Sequence, residues 1–106
     1  MRRKSKSSIT TRLLPNTHPG EILLENFLKP MSLSQTALAR AIGVPPRRIN
    51  DIVLAKQAIS ADTDLRLARY FGVSEGFFLG MQKDYDLQEQ KCKIGDKLKA
   101  IRPRAA

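Results

Sequence analysis

Apolar residues recur at helical spacing along most of the chain, in short runs separated by proline, glycine and serine. In GEILLENFLK, the residues Ile22, Leu23, Phe27 and Leu28 share one helical face. Pro19 suits the first turn, Glu21 suits a helix N-terminus electrostatically, and Pro30 stops the run. A second helix is expected in MSLSQTALARAIG, with apolar positions Ala37, Leu38, Ala41 and Ile42. Its cap is Ser34, or Ser32 with Gln35 three residues on, and Gly43 ends it.

The next stretch, PPRRINDIV, opens a third helix abruptly. Pro46 fits the first helical position, while Pro45 before it is pushed toward extended backbone. Ile49, Ile52 and Val53 would point inward, and Arg47, Arg48, Asn50 and Asp51 elsewhere. A fourth helix follows Ser60, with Asp62 and Asp64 near its start, Gly72 past its end, and a buried stripe of Leu65, Ala68 and Phe71. The fifth begins at Ser74 and Glu75 and carries Phe77, Phe78, Met81 and Tyr85 at helical spacing. Beyond Gln90 the periodicity decays, leaving Leu98 and Ile101 at most one further turn before Pro103. No strand and no internal repeat is expected. The pattern predicts an all-α domain of five short helices.

Spacing within the second and third helices is specific. Two helices meeting near a right angle need a small residue at their approach, here Ala39, and a turn residue tolerant of positive φ, here Gly43. The second of the pair needs an apolar anchor facing the first, here Ile49. This is the helix-turn-helix arrangement, whose second helix enters the DNA major groove with its N-terminal residues at base edges. The candidate base-reading residues are therefore Pro46, Arg47, Arg48, Asn50 and Asp51. Arginine offers a bidentate fork to guanine and asparagine reads adenine. Asp51 either accepts from a cytosine amino group or pairs with Arg47 or Arg48; the sequence does not choose between the two. Ser34 and Gln35, at a helix N-terminus, and Lys56 and Gln57, just past the third helix, are the candidate phosphate contacts. Phe78, Met81 and Tyr85 are candidates for a dimer interface, since helix-turn-helix domains of this size commonly bind palindromic DNA in pairs.

Charge sharpens this picture. The formal net charge of +9 sits almost wholly at the two ends. Residues 1–12 hold Arg2, Arg3, Lys4, Lys6 and Arg12 without an acid, and residues 91–106 hold six basic residues against Asp96. The segment between, 13–90, carries eight basic and nine acidic residues. Basic arms on a nearly neutral domain fit attraction to a polyanion, with solubility as the plainer alternative. The expected division is a basic arm over 1–17, a DNA-binding domain over 18–90, and a basic C-terminal segment over 91–106 that helps dimerisation.

Other chemistry is excluded. The single histidine, His18, precedes Pro19 and reads as a helix cap rather than a catalyst. Cys92 is the only cysteine, which fits a reducing cytoplasm and supplies no metal cluster. There is no glycine-rich phosphate loop, no Ser–His–Asp set and no apolar run near the ~20 residues a bilayer requires. No enzymatic activity, metal, cofactor or membrane association is expected.

The stretches HPGEILLENFLKP, SQTALARAIGVPPRRINDIVLAKQAISADTDLRLARYFGVS, FFLGMQKDYDL and IRPRAA together resemble the HigA-type, or VapI-like, antitoxins of the Xre helix-turn-helix class. The similarity spans Pro15 to Ala106, and HPGE, RLARYFG and YDL are more specific than the helix-turn-helix alone. It implies a five-helix, lambda-repressor-like fold that dimerises through its last helix and C-terminal segment. It also implies a repressor of its own operon that neutralises a HigB-like toxin, a ribosome-dependent mRNA endonuclease. Phe78 and Gly80 stand where such proteins usually carry Trp and Asn; Gly80 weakens a helix by about 1 kcal/mol relative to Ala. Two further readings stay open on sequence: an Xre-type regulator without a toxin, and a protein-binding enzyme inhibitor with little specific DNA binding.

Overall fold

The structure, a computed structural model, describes residues 16–105. The expected basic arm over 1–17 therefore lies outside the described residues, apart from Asn16 and Thr17. Five helical units follow, and among the described residues there is no strand. Helix α1 is Pro19–Ile22 and runs directly into a π-helical segment, Leu23–Leu28; then come α2, Gln35–Ile42, α3, Pro46–Val53, α4, Ala61–Phe71, and α5, Phe77–Lys99.

The first unit departs from the regular helix that the pattern predicts. Lys29 and Leu33 donate to carbonyls five residues back, those of Leu24 (3.0 Å) and Leu28 (2.9 Å). In a helix of ~3.6 residues per turn, residues five apart fall on different faces; the wider π turn brings Leu23 and Leu28 toward one side. Both are buried, at 0% and 2% exposure. Burial of these two leucines favours the unusual turn. Its start is set by HPGE: the His18 Nδ1 accepts from the Gly20 N–H at 2.9 Å and Pro19 occupies the first turn.

Helix α2 has Ser34 as its cap, the hydroxyl oxygen accepting from the Ala37 N–H at 3.0 Å. Ser32 instead takes a positive φ of 51° in the preceding turn. The helix ends with Gly43 at φ 73°, where the Gly43 N–H bonds Arg40 and the Val44 N–H bonds Ala39, a Schellman ending that buries Val44. Leu38 and Ile42 of the expected inward set are buried, as is Ala39 at the approach to α3, whereas Ala41, also expected inward, is exposed.

The buried stripe of α4 also differs from expectation. Leu65 is 49% exposed, while Leu67 is fully buried beside Thr63, Asp64 and Ala68. Two polar residues conceal this face in the sequence. Each is hydrogen-bonded: the Thr63 hydroxyl lies 3.3 Å from the Ser60 hydroxyl, and Asp64 accepts from the backbone N–H groups of Gly76 (2.6 Å) and Leu79 (2.8 Å). Helix α5 consequently starts at Phe77 rather than at Ser74 or Glu75, with its cap supplied by the previous helix. It extends to Lys99, well past the expected end near Gln90, with a non-helical residue at Ile94. The 91–106 segment thus begins inside this helix.

Leu23, Leu38, Ile49, Ile52, Leu67 and Phe78 form the centre of one core, all at 0% exposure. Phe78 belongs to this chain's own interior and has no surface to give a partner. Met81 packs against the same core, and Tyr85 sets its ring edge to His18 at 4.9 Å. The expectation of a dimer-interface role is corrected for Phe78, whereas Met81 and Tyr85 stay part-exposed. Adjacent residues on a helix point about 100° apart, so of the two neighbouring phenylalanines it is Phe77, 41% exposed, that reaches the surface.

Candidate nucleic-acid interface

Helix α3 stands out from the core on a short, rigid entry. Pro45 is extended (φ −63°, ψ 141°) and Pro46 is the first helical residue. Ile49 and Ile52 anchor the inner face at 0% exposure, leaving Arg47 and Asn50 on the opposite, exposed face. At its far end Ala55 takes φ 61°, and the Asp51 carbonyl accepts from the N–H groups of Lys56 (2.7 Å) and Gln57 (3.2 Å). That turn holds both side chains exposed beside the last turn of α3.

The side chains along this surface are not equivalent. Arg47 is free-standing, its side chain 89% exposed, with only a 3.6 Å approach from Nε to the Asp51 carboxylate. Asp51 thus lies within loose ion-pair reach of Arg47, one of the two arginines the sequence offered it. Asn50 donates from Nδ2 to the Gln35 Oε1 at 3.3 Å, joining the exposed face of α3 to the first residue of α2. Ser34 lies next in the chain; its oxygen caps α2 while its O–H remains a donor. Asn50, Gln35 and Ser34 therefore share one edge of the surface, and Lys56 and Gln57 flank the C-terminal end of α3.

Arg48 behaves differently. It points sideways, donating from Nη1 to the Asp62 carboxylate at 2.7 Å. The same Asp62 oxygen accepts from Arg66 Nε at 3.1 Å, and Arg66 Nη1 bonds the carbonyls of Ile42 (2.7 Å) and Gly43 (3.3 Å) at the end of α2. The hydrogen bonds from Arg48 and then Arg66 hold the Asp62 carboxyl below the usual carboxylate range. Sequence reasoning missed Asp62 and Arg66. An acidic residue on a first helical turn already has a local explanation in the helix dipole, and no spacing rule links it to Arg48.

A helix-turn-helix family model matches residues 24–78. Virulence-associated protein I of Dichelobacter nodosus is 56% identical over 75 residues, which is 71% of this chain and 69% of that protein. The antitoxin HigA of Pseudomonas aeruginosa, solved with the higBA promoter, is 39% identical with a TM-score of 0.81, covering 86% of this chain and 100% of that one. The chain belongs to the HigA-type Xre helix-turn-helix family. Another solved relative of this HigA-type chain, the antitoxin GraA in complex with its operator, is 36% identical with a TM-score of 0.81, covering 88% and 95% of the respective chains. Relatives of this family are named as antitoxins and helix-turn-helix transcriptional regulators. No helix among the described residues of this HigA-type chain is long and apolar enough to cross a membrane.

Proposed function

We propose that this protein is a sequence-specific DNA-binding repressor that also serves as the antitoxin of a type II toxin–antitoxin pair. It binds a palindromic operator as a homodimer in the bacterial cytoplasm, represses its own operon, and neutralises a HigB-like mRNA endonuclease. One observation carries the DNA-binding reading: the first turn of α3 exposes Arg47 and Asn50 on a helix whose opposite face is fully buried. A rigid, core-anchored helix with a polar N-terminal turn is what groove entry demands. The operator and promoter complexes of HigA and GraA support the same reading by analogy.

In this reading Arg47, Arg48 and Asn50 face base edges, Asp51 orients Arg47, and Pro46 sets the depth of the turn. Ser34, Gln35, Lys56 and Gln57 contact phosphates on either side. Dimerisation draws on the exposed apolar residues Leu98 and Ile101 near the end of the chain. Family membership supports the toxin partner. The test is to co-express the protein with each small reading frame flanking its gene, while a reporter follows the upstream promoter. Rescue of growth from one such frame together with repression supports the reading. Repression without any toxic neighbour would leave a regulator alone, and rescue without repression a protein-binding inhibitor.

A further inference from the structure

We infer that Asp62, on α4 and so outside the α2–α3 pair, is a positioning residue for base readout: its carboxylate sets the direction in which Arg48 presents its guanidinium to DNA. This rests on the reading of α3 as the recognition helix and deepens it. The geometry is a relay of three side chains. Arg66 is fastened by Nη1 to the Ile42 and Gly43 carbonyls, its Nε holds the Asp62 Oδ2, and that oxygen holds Arg48 Nη1. The relay begins at the turn between α2 and α3 and ends on the third residue of α3, so one local frame fixes both the helix and the guanidinium.

Arg48 is constrained in consequence. Its side chain is 32% exposed, against 89% for Arg47 one residue before it. A guanidinium carries five N–H groups, and Asp62 takes one from Nη1, leaving the second Nη1 hydrogen, Nε and Nη2 to meet a base or phosphate along a set direction. Pre-orientation lowers the ordering cost of such a contact. The carboxylate also has a second effect. DNA that draws Arg48 away leaves the Asp62 carboxylate near phosphates with one guanidinium partner, Arg66, in place of two, which disfavours sequences that engage Arg48 wrongly. The pair is partly exposed, and exposed ion pairs add little to stability, so its value lies in geometry.

The experiment uses the full chain and its variants Asp62→Asn, Asp62→Glu, Arg48→Ala, Arg48→Lys and the double variant Arg48→Ala/Asp62→Asn. Each is assayed by selection from random duplex DNA, then by titration with selected and scrambled duplexes. Asp62→Asn is expected to bind scrambled DNA more tightly and to lose about tenfold in the ratio of specific to nonspecific affinity. The relaxed preference should fall on the same base pair that Arg48→Ala relaxes, and Asp62→Glu should partly restore it. In the double variant, removing Asp62 should change base preference no further. Arg48→Lys, which keeps the charge but not the fork, should relax that base pair too, and supplies the test should Asp62→Asn fail to fold. Unchanged preference in Asp62→Asn, with all sequences shifted alike, would overturn the inference; so would unchanged preference in Arg48→Lys. Absence of any sequence preference in the wild-type protein would instead overturn the recognition-helix reading itself.

Discussion

The carboxylate of Asp64, in α4, accepts hydrogen bonds from the Leu79 N–H at 2.8 Å and the Gly76 N–H at 2.6 Å, so the cap of the last helix is donated by the helix before it. Helix α5 has no side-chain cap of its own, because its N-cap residue is Gly76. One 2% exposed side chain thereby fixes the start of the longest helix. Asp64→Ala should lower unfolding free energy by about 2–4 kcal/mol, since it removes two bonds to a charged group and strands two N–H groups. Urea denaturation measures this. A loss below about 0.5 kcal/mol would mean the cap is dispensable.

Gly20 stands against the carbonyl of Ile52, so close that a β-carbon there would collide with that backbone oxygen. The glycine of HPGE thus lets α1 seat directly on α3. Gly20→Ala should cost about 3 kcal/mol, the upper end of the usual overpacking range, because backbone rather than a flexible side chain blocks the space. By contrast, Gly80→Ala meets nothing within 4 Å and should stabilise by up to ~1 kcal/mol. Thermal unfolding of the two variants should therefore move in opposite directions.

His18 makes stability depend on pH. It is 8% exposed, and its unprotonated Nδ1 must accept from Gly20. Burial lowers its pKa, and the nearby Asp86 charge opposes this without reversing it. The folded pKa therefore lies below the unfolded value of about 6.5. As pH falls from there, the unfolded chain takes up the proton first, so stability present above pH ~6.5 is lost as pH drops through the folded pKa. Urea midpoints at pH 7.5 and pH 5 should fall further for the wild type than for His18→Asn, which keeps a capping acceptor but does not titrate. Equal falls would remove His18 as the cause.

Arg47, the least constrained arginine of α3, should act by direct contact alone. Arg47→Ala should weaken operator binding by about 1–3 kcal/mol and relax one base preference while leaving stability unchanged. An unchanged preference, measured by selection from random duplexes, would take Arg47 out of base readout.

Local chemistry made most of the fold legible. Pro46, Gly43, Ser34, Ser60 and Gly72 mark helix ends by their own conformational demands, and each stands at such an end. What escaped was whatever one element supplies to another. Leu65 and Leu67 are both apolar, and it is Leu67 that shares the buried face of α4 with Asp64, whose carboxylate caps α5. The long α5 hides a similar case in Gln82, 4% exposed, whose Oε1 accepts from the Ile59 N–H across 23 residues at 2.9 Å. A polar residue on the inner face blurs the apolar period that sequence reading relies on. On α3, the outward placement of Arg47 and Asn50 was legible from the motif, whereas the sideways pairing of Arg48 with Asp62 was not.

The most direct test of the account is a titration of the protein with the duplex immediately upstream of its gene, against scrambled competitor, at several salt concentrations. The account predicts a specific complex of two protomers whose preference over scrambled DNA persists as salt rises. Equal, weak binding to both duplexes that vanishes with salt would mean that the basic segments act alone, and it would contradict the assignment of α3 as a recognition helix.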